Sequence, residues 1–152
     1  MKIREIMSRP IIAEDEETLV TKIAEDMDEL GIGSVAITSS GEEGKEGERE
    51  EREREGREGS KGGKPVGIIT ERDIALKVLL KDKRASEVKA REIMSSPLVT
   101  VEPETTVDEA CKLAARKRIK RLPVVENGRF VGIVSIRDLL ARKPEFVREF
   151  YF

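Results

Sequence analysis

Residues 67–75 read GIITERDIA and residues 132–140 read GIVSIRDLL. Each stretch begins with glycine, runs through an apolar pair into a hydroxyl residue, and places Arg and Asp two and three positions later. A hydroxyl residue between an apolar run and a helical pattern reads as a helix N-cap, because its side-chain oxygen accepts a hydrogen bond from a first-turn N–H. The spacing therefore predicts strands over 66–69 and 131–134, each turning into a helix at Thr70 or Ser135.

Working outward from these stretches shows that the whole chain is written twice. REIMSRP at 4–10 recurs as REIMSSP at 91–97, an offset of 87 that also aligns Glu17-Thr18 with Glu104-Thr105, Val20 with Val107 and Ile32 with Ile119. At Gly67 and Gly132 the offset has fallen to 65, so the first copy carries 22 additional residues. They lie within 41–64, GEEGKEGEREEREREGREGSKGGK, which holds 9 acidic, 7 basic, 7 Gly and 1 Ser and no apolar side chain. Such a segment cannot build a core and is expected to be a disordered, solvated extension.

Between these landmarks both copies follow one pattern. A short strand is expected at 11–12 and at 98–101, then a helix. In the first copy the helix carries Leu19, Ile23, Met27 and Leu30 at 3.6-residue spacing. In the second it carries Val107, Ala110, Cys111 and Ala114, after a start signal at Thr105 and Asp108. A strand follows at 34–38 and 121–125, then the hairpin partner at 66–69 and 131–134. In the second copy Asn127-Gly128 joins that hairpin, the strongest short hairpin signal. The unit is β-α-β-β-α, and the fold class is α+β. One copy is too small to bury both faces of its sheet, so the two are expected to pack on each other.

Composition narrows the function. The formal net charge is -2 although 39% of residues are charged, a balance that argues against a generic nucleic-acid or membrane binder. Outside the insertion, 22 acidic residues meet 22 basic ones. There is no His and a single Cys111, read as a small core residue, so a Ser-His-Asp triad, an intramolecular disulfide and a His-based metal site are excluded. No apolar run approaches the roughly 18 residues of a membrane span, and the N-terminus lacks a signal-peptide core, so a cytoplasmic location is expected. Asn127 is the only amide side chain among abundant Glu, Lys and Arg, a bias expected of a thermophilic source.

The ordered set REIMSSPLVTVEPETTVDEA, KRIKRLPVVENGRFVGIVSIRDLL and its first-copy counterparts REIMSRPIIAEDEETLVTKIA, LGIGSVAI and KPVGIITERDIALKVLL resembles a tandem pair of CBS domains, the repeat of the cystathionine β-synthase type, often called a Bateman module. The resemblance implies two repeats packed sheet to sheet with pseudo-twofold symmetry. The first repeat would span 1–80 with its insertion at 41–64, a linker 81–89, the second repeat 90–143, and an aromatic tail 144–152. It further implies clefts for adenosine-containing ligands, in which Asp73 and Asp138 bind ribose hydroxyls.

Under the same resemblance each cleft borrows a wall from the other repeat, so that Asp73 works with Ile119, Lys120 and Arg121, and Asp138 with Ile32, Gly33 and Ser34. Phosphates would be held by Thr70, Ser135, Arg72, Arg137, Lys120 and Arg121. The two clefts are expected to differ, with phosphorylated ligands preferring the one beside Lys120 and Arg121. The expected function is a regulatory, non-enzymatic ligand sensor; no cofactor or metal is required, and the ligand is AMP, ADP, ATP or another adenosyl compound. A homodimer is expected, with the aromatic tail near the contact. The alternative is a ligand-free scaffold mediating dimerisation or binding a protein partner. The basic run 116–121 also admits a solvated helix end or a nucleic-acid patch, the latter disfavoured because no aromatic residue is interleaved with it.

Replacing 41–64 with a two-residue Asn-Gly turn should leave the melting transition nearly unchanged in scanning calorimetry. Loop-closure entropy changes by only about 0.6 kcal/mol per doubling of length, and the segment has no apolar side chain to bury.

Overall fold

The short apolar runs become five strands in the computed structural model, which describes residues 1–40 and 63–151. The charged insertion lies outside the described residues except for Gly63 and Lys64. Strand β1 (Ala13–Asp15) pairs in parallel with β2 (Ser34–Thr38), which pairs antiparallel with β3 (Pro65–Thr70). Strands β4 (Arg121–Glu126) and β5 (Arg129–Ser135) form an antiparallel hairpin. Its Asn127-Gly128 turn adopts the pair of positive φ angles, 53° and 75°, that this dipeptide accommodates.

The longer helices are α1 (Val20–Leu30), α4 (Val107–Lys117) and α5 (Ile136–Arg142). Helix α2 (Glu71–Ile74) runs on as a π-helical turn over Ala75–Leu79, α3 (Ala90–Ile93) is a single turn, and α6 (Val147–Tyr151) ends the described chain. The mixed α+β class matches the expectation.

Three local expectations need correction. In α1 only Ile23 and Met27 of the expected stripe are buried; Leu19 and Leu30 are exposed at the helix ends, and Val20 fills the first core position. The start of α4 is capped by Thr106 with Glu109, one residue beyond Thr105 and Asp108, because the Thr105 hydroxyl accepts from Glu102 N–H in the preceding turn. The strand expected at 98–101 is reduced to one parallel bridge between Val101 and Val124, and that expected at 11–12 begins at Ala13.

The units of packing do not follow the repeats. One compact unit combines Met1–Ile11 with Val99–Phe152, and the other is Ile12–Leu98. In the unit spanning Ile12–Leu98, Ala90 N–H donates to Thr18 O at 2.7 Å, Arg91 N–H to Glu16 O at 2.9 Å, and Val20 N–H to Val88 O at 2.9 Å. Shifted by 87 residues, the same three bonds recur in the other unit with the repeats exchanged: Ile3 N–H to Thr105 O at 2.8 Å, Arg4 N–H to Pro103 O at 3.0 Å, and Val107 N–H to Met1 O at 2.9 Å.

Side chains repeat the exchange. Lys89 and Arg91 pair with Glu17, while Lys2 and Arg4 pair with Glu104. The hydrogen bond from Lys89, and then the charge of Arg91, holds the Glu17 carboxyl below its ordinary range. Each repeat therefore lends its first segment to the core built by the other. Val88, Ala90 and Ile93 are buried with Val20, Ile23, Val35, Ile37 and Ile69, so the 81–89 stretch serves as core as well as connection. Ile3 is fully buried with Val107, Cys111, Leu122, Val134 and Leu139. Burial of each such aliphatic side chain contributes about 1.5–3 kcal/mol. Burial also pushes the Cys111 thiol up to about 11, with Asp108 adding to the effect.

The glycine that opens each motif is fixed by this exchange. Ser95 N–H donates to Ile68 O at 2.9 Å and Ser8 N–H to Ile133 O at 2.9 Å, seating the Met-Ser of one repeat on the motif strand of the other. A Cβ on Gly67 would lie 2.7 Å from Met94 Sδ, and one on Gly132 would lie 2.9 Å from both Met7 Sδ and Ser8 O. Overpacking of this kind costs about 1–3 kcal/mol. In urea unfolding, both Gly67→Ala and Gly132→Ala should lower the midpoint. Gly132→Ala should be the worse, because the Ser8 carbonyl, held by the Ile133 N–H at 3.1 Å, cannot step aside as a methionine side chain can.

Candidate functional site

The two motif carboxylates sit where the hairpin strands β3 and β5 end. At the first, Asp73 Oδ2 accepts from Thr70 N–H at 2.9 Å and from the Thr70 hydroxyl at 3.2 Å, and Asp73 N–H donates to Thr70 Oγ1 at 3.3 Å. At the second, Asp138 Oδ2 accepts from Ser135 N–H and from the Ser135 hydroxyl, both at 2.9 Å, and Asp138 N–H donates to Ser135 Oγ at 3.2 Å. Both are reciprocal capping boxes, which satisfy backbone donors that the first helical turn would otherwise leave open.

The remaining carboxylate oxygens differ. Asp73 Oδ1 pairs with Lys77 Nζ at 3.0 Å, and the same ammonium donates to Ile93 O at 2.8 Å. Asp73 is also buried, at 9% exposure. Asp138 is only half-buried, and its Oδ1 has no partner among the described residues. Arg142 occupies the position equivalent to Lys77 and makes no ion pair among the described residues.

Antiparallel register decides which of the other expected residues lie beside each carboxylate. Ser34 pairs with Thr70, and Glu71 N–H donates to Gly33 O at 3.2 Å, which brings Gly33 and Ser34, with Ile32 just before them, to the Asp73 motif. Arg121 pairs with Ser135, and Ile136 N–H donates to Lys120 O at 2.9 Å, which brings Ile119, Lys120 and Arg121 to the Asp138 motif. Within each unit, strand pairing joins each motif to the preceding strand of its own repeat. The cationic surroundings belong to Asp138. Arg72 and Arg137 are exposed at the first turns of their helices.

An open cleft of about 440 Å³ adjoins the Asp138 motif. One side is formed by Ala115, Arg118 and Ile119 at the end of α4, with Lys120 and Ile136; the other by Glu149 and Phe150 of α6. Its size falls within the 300–1,000 Å³ range common for small-molecule sites. Of the lining residues, Arg118 and Lys120 make no ion pair among the described residues, and Glu149 brings the one carboxylate. Sequence reasoning missed Lys77, although its i,i+4 spacing from Asp73 was a usable signal. It also missed Glu149 and Phe150, which no repeat pattern marks.

The CBS domain family model matches residues 90–145. An uncharacterised protein of Methanopyrus kandleri is 38% identical over 148 residues, covering 97% of this chain and 65% of that protein. A CBS domain protein of unknown function from Thermoplasma acidophilum superposes with a TM-score of 0.77 at 22% identity, covering 99% of this chain and 74% of that one. The hexameric CBS-CP12 protein from bloom-forming cyanobacteria superposes with a TM-score of 0.73 at 26% identity, covering 92% of this chain and 66% of that one. Residues 90–145 carry a CBS domain, and the two repeats of the chain are consistent with a tandem pair. It spans less than two thirds of the length of such curated relatives. No described helix is long and apolar enough to cross a membrane.

Thr70→Ala and Ser135→Ala each remove a cap worth about 0.5–2 kcal/mol. Thermal unfolding should show both losses, while Thr70→Ser and Ser135→Thr should retain most of the stability.

Proposed function

We propose that the chain is a regulatory ligand-sensing module that takes an adenine nucleotide or related adenosyl compound, with Asp138 as its principal ribose-binding carboxylate. The observation that carries this reading is the unpartnered Oδ1 of Asp138, whose motif adjoins a cleft lined by the unpaired cations Arg118 and Lys120. A ribose hydroxyl can donate to that oxygen without displacing the cap, which uses Oδ2. Lys120, Arg121 and Arg137 supply donors for phosphate oxygens, where charge-assisted bonds are strong. Asp73 has both oxygens engaged, so a ligand there must displace Lys77. Phosphorylated ligands therefore favour Asp138, the reverse of a preference for the Asp73 cleft. The ligand reports its presence through differential affinity for two arrangements of the protein.

The scaffold reading is favoured by a different feature. Leu76, Leu79 and Leu80, at 39%, 77% and 69% exposure, share one face of the helical segment after Asp73, an apolar surface suited to self-association or a protein partner.

Thermal-shift and calorimetric titration separate the two readings. AMP, ADP or ATP should raise the melting temperature, since a ligand at 100 times its Kd adds about 2.7 kcal/mol to the folded state. Asp138→Asn should weaken binding more than Asp73→Asn. The double change Lys120→Ala and Arg121→Ala should weaken AMP at least tenfold more than adenosine, each lost charged hydrogen bond being worth about 1.5–3 kcal/mol. No shift with these nucleotides, adenosine, S-adenosylmethionine or methylthioadenosine would leave the scaffold reading.

A further inference from the structure

The cleft beside the Asp138 motif is closed on one side by a segment that belongs to neither repeat. Glu149 and Phe150 come from α6, after the end of the repeated sequence. Phe150 is half-buried and, with Phe146, packs against the core that contains Cys111 and Leu139. Lys143 ties the start of this segment to α4 through an ion pair with Asp108 at 3.1 Å. Phe150 is thus a ring held in place, with part of its surface left to the cleft.

Opposite it, the apolar lining consists of Ala115, Ile119 and Ile136, and two cations, Arg118 and Lys120, outnumber the one lining carboxylate, Glu149 beside Phe150. Phe150 is the one aromatic ring among the lining residues. A planar ring bearing an anionic group fits this division: the ring lies between the two isoleucines and Phe150, and the anion faces the cations. Aliphatic walls accept any apolar shape, whereas a phenyl face prefers another ring in offset or edge-to-face contact.

We propose that Phe150 is the ring-recognising, specificity-determining residue of this cleft, selecting an aromatic anion over an anion without a ring. The proposal deepens the nucleotide reading and rests on it for the identity of the ring, adenine, but its chemistry extends to aromatic anions in general.

The test uses the full chain as wild type and as Phe150→Leu, which keeps apolar packing and removes the ring, and Phe150→Tyr, which restores it. Melting temperatures of the three should agree within a few degrees, showing that the fold is kept. Binding is measured for AMP, for ribose 5-phosphate as the same anion without the base, and for 8-anilinonaphthalene-1-sulfonate as an aromatic anion that is not a nucleotide. Loss of one aromatic–base contact is expected to weaken AMP about fivefold to a hundredfold in Phe150→Leu, leave ribose 5-phosphate unchanged and recover in Phe150→Tyr. AMP binding equally to wild type and Phe150→Leu would overturn the proposal while leaving the nucleotide reading intact. A Phe150-dependent response to the naphthalene sulfonate without AMP binding would uphold the ring-recognising role and remove the nucleotide. If neither probe distinguishes wild type from Phe150→Leu, the role assigned to Phe150 is wrong.

Discussion

The close seating of a Met-Ser pair from one repeat on the motif glycine of the other is the contact on which this structure depends. Gly67 meets Met94 and Gly132 meets Met7 at separations that leave no room for a Cβ. The neighbouring backbone bonds, Ser95 to Ile68 and Ser8 to Ile133, fix the register of that approach. Everything upstream follows from it: once Met-Ser is seated, the preceding residues reach the start of α1 or α4, where Val88 or Met1 completes the backbone bonding. Sequence identity between the repeats is what permits the exchange. Met1–Ile11 packs with Val99–Phe152, and the stretch that opens the second repeat packs within Ile12–Leu98, so each unit holds residues of both repeats.

Much of this architecture was legible in the sequence. The hydroxyl and Asp three residues apart predicted caps at Thr70 and Ser135, and the bonds are present at both. Asn127-Gly128 predicted a hairpin and adopts one, because few other pairs accept two positive φ values. The exchange was hidden for a physical reason: in a duplicated sequence, Ile3 and Ile93 carry the same apolar signal whichever core receives them. Leu19 and Leu30 misled because periodicity marks a face without saying where the helix ends meet solvent. The same-repeat neighbours of each Asp went unread because strand register is set by pairing, which the sequence of one strand does not contain.

The two capping carboxylates show how near-identical motifs acquire different capacities. Their Oδ2 atoms are used alike, so helix initiation is preserved in both units. The divergence lies four residues further on. Lys77 reaches back to Asp73 and at the same time holds the carbonyl of Ile93, stitching the lent segment to the motif, whereas Arg142 does neither. The π-helical turn that contains Lys77 places its ammonium for both contacts, in keeping with the appearance of such turns where a helix serves a particular contact. One motif is a structural clasp, and the other keeps a carboxylate oxygen available beside a cleft lined by Arg118 and Lys120.

The discontinuous unit has a consequence for how the molecule is made. Residues emerge during synthesis at about 5–20 per second, and domains generally fold as they become complete. The unit spanning Ile12–Leu98 has all its parts when its last residue appears, and it can consolidate while the remainder is still being translated. Met1 to Ile11 emerge before that unit, yet belong with residues made after it. Ile3 stays without its fully buried place until Val107, Leu122 and Leu139 have followed. The segment carrying Ile3 is therefore held in waiting, its apolar side chains uncovered, until α4 and α5 emerge to receive it.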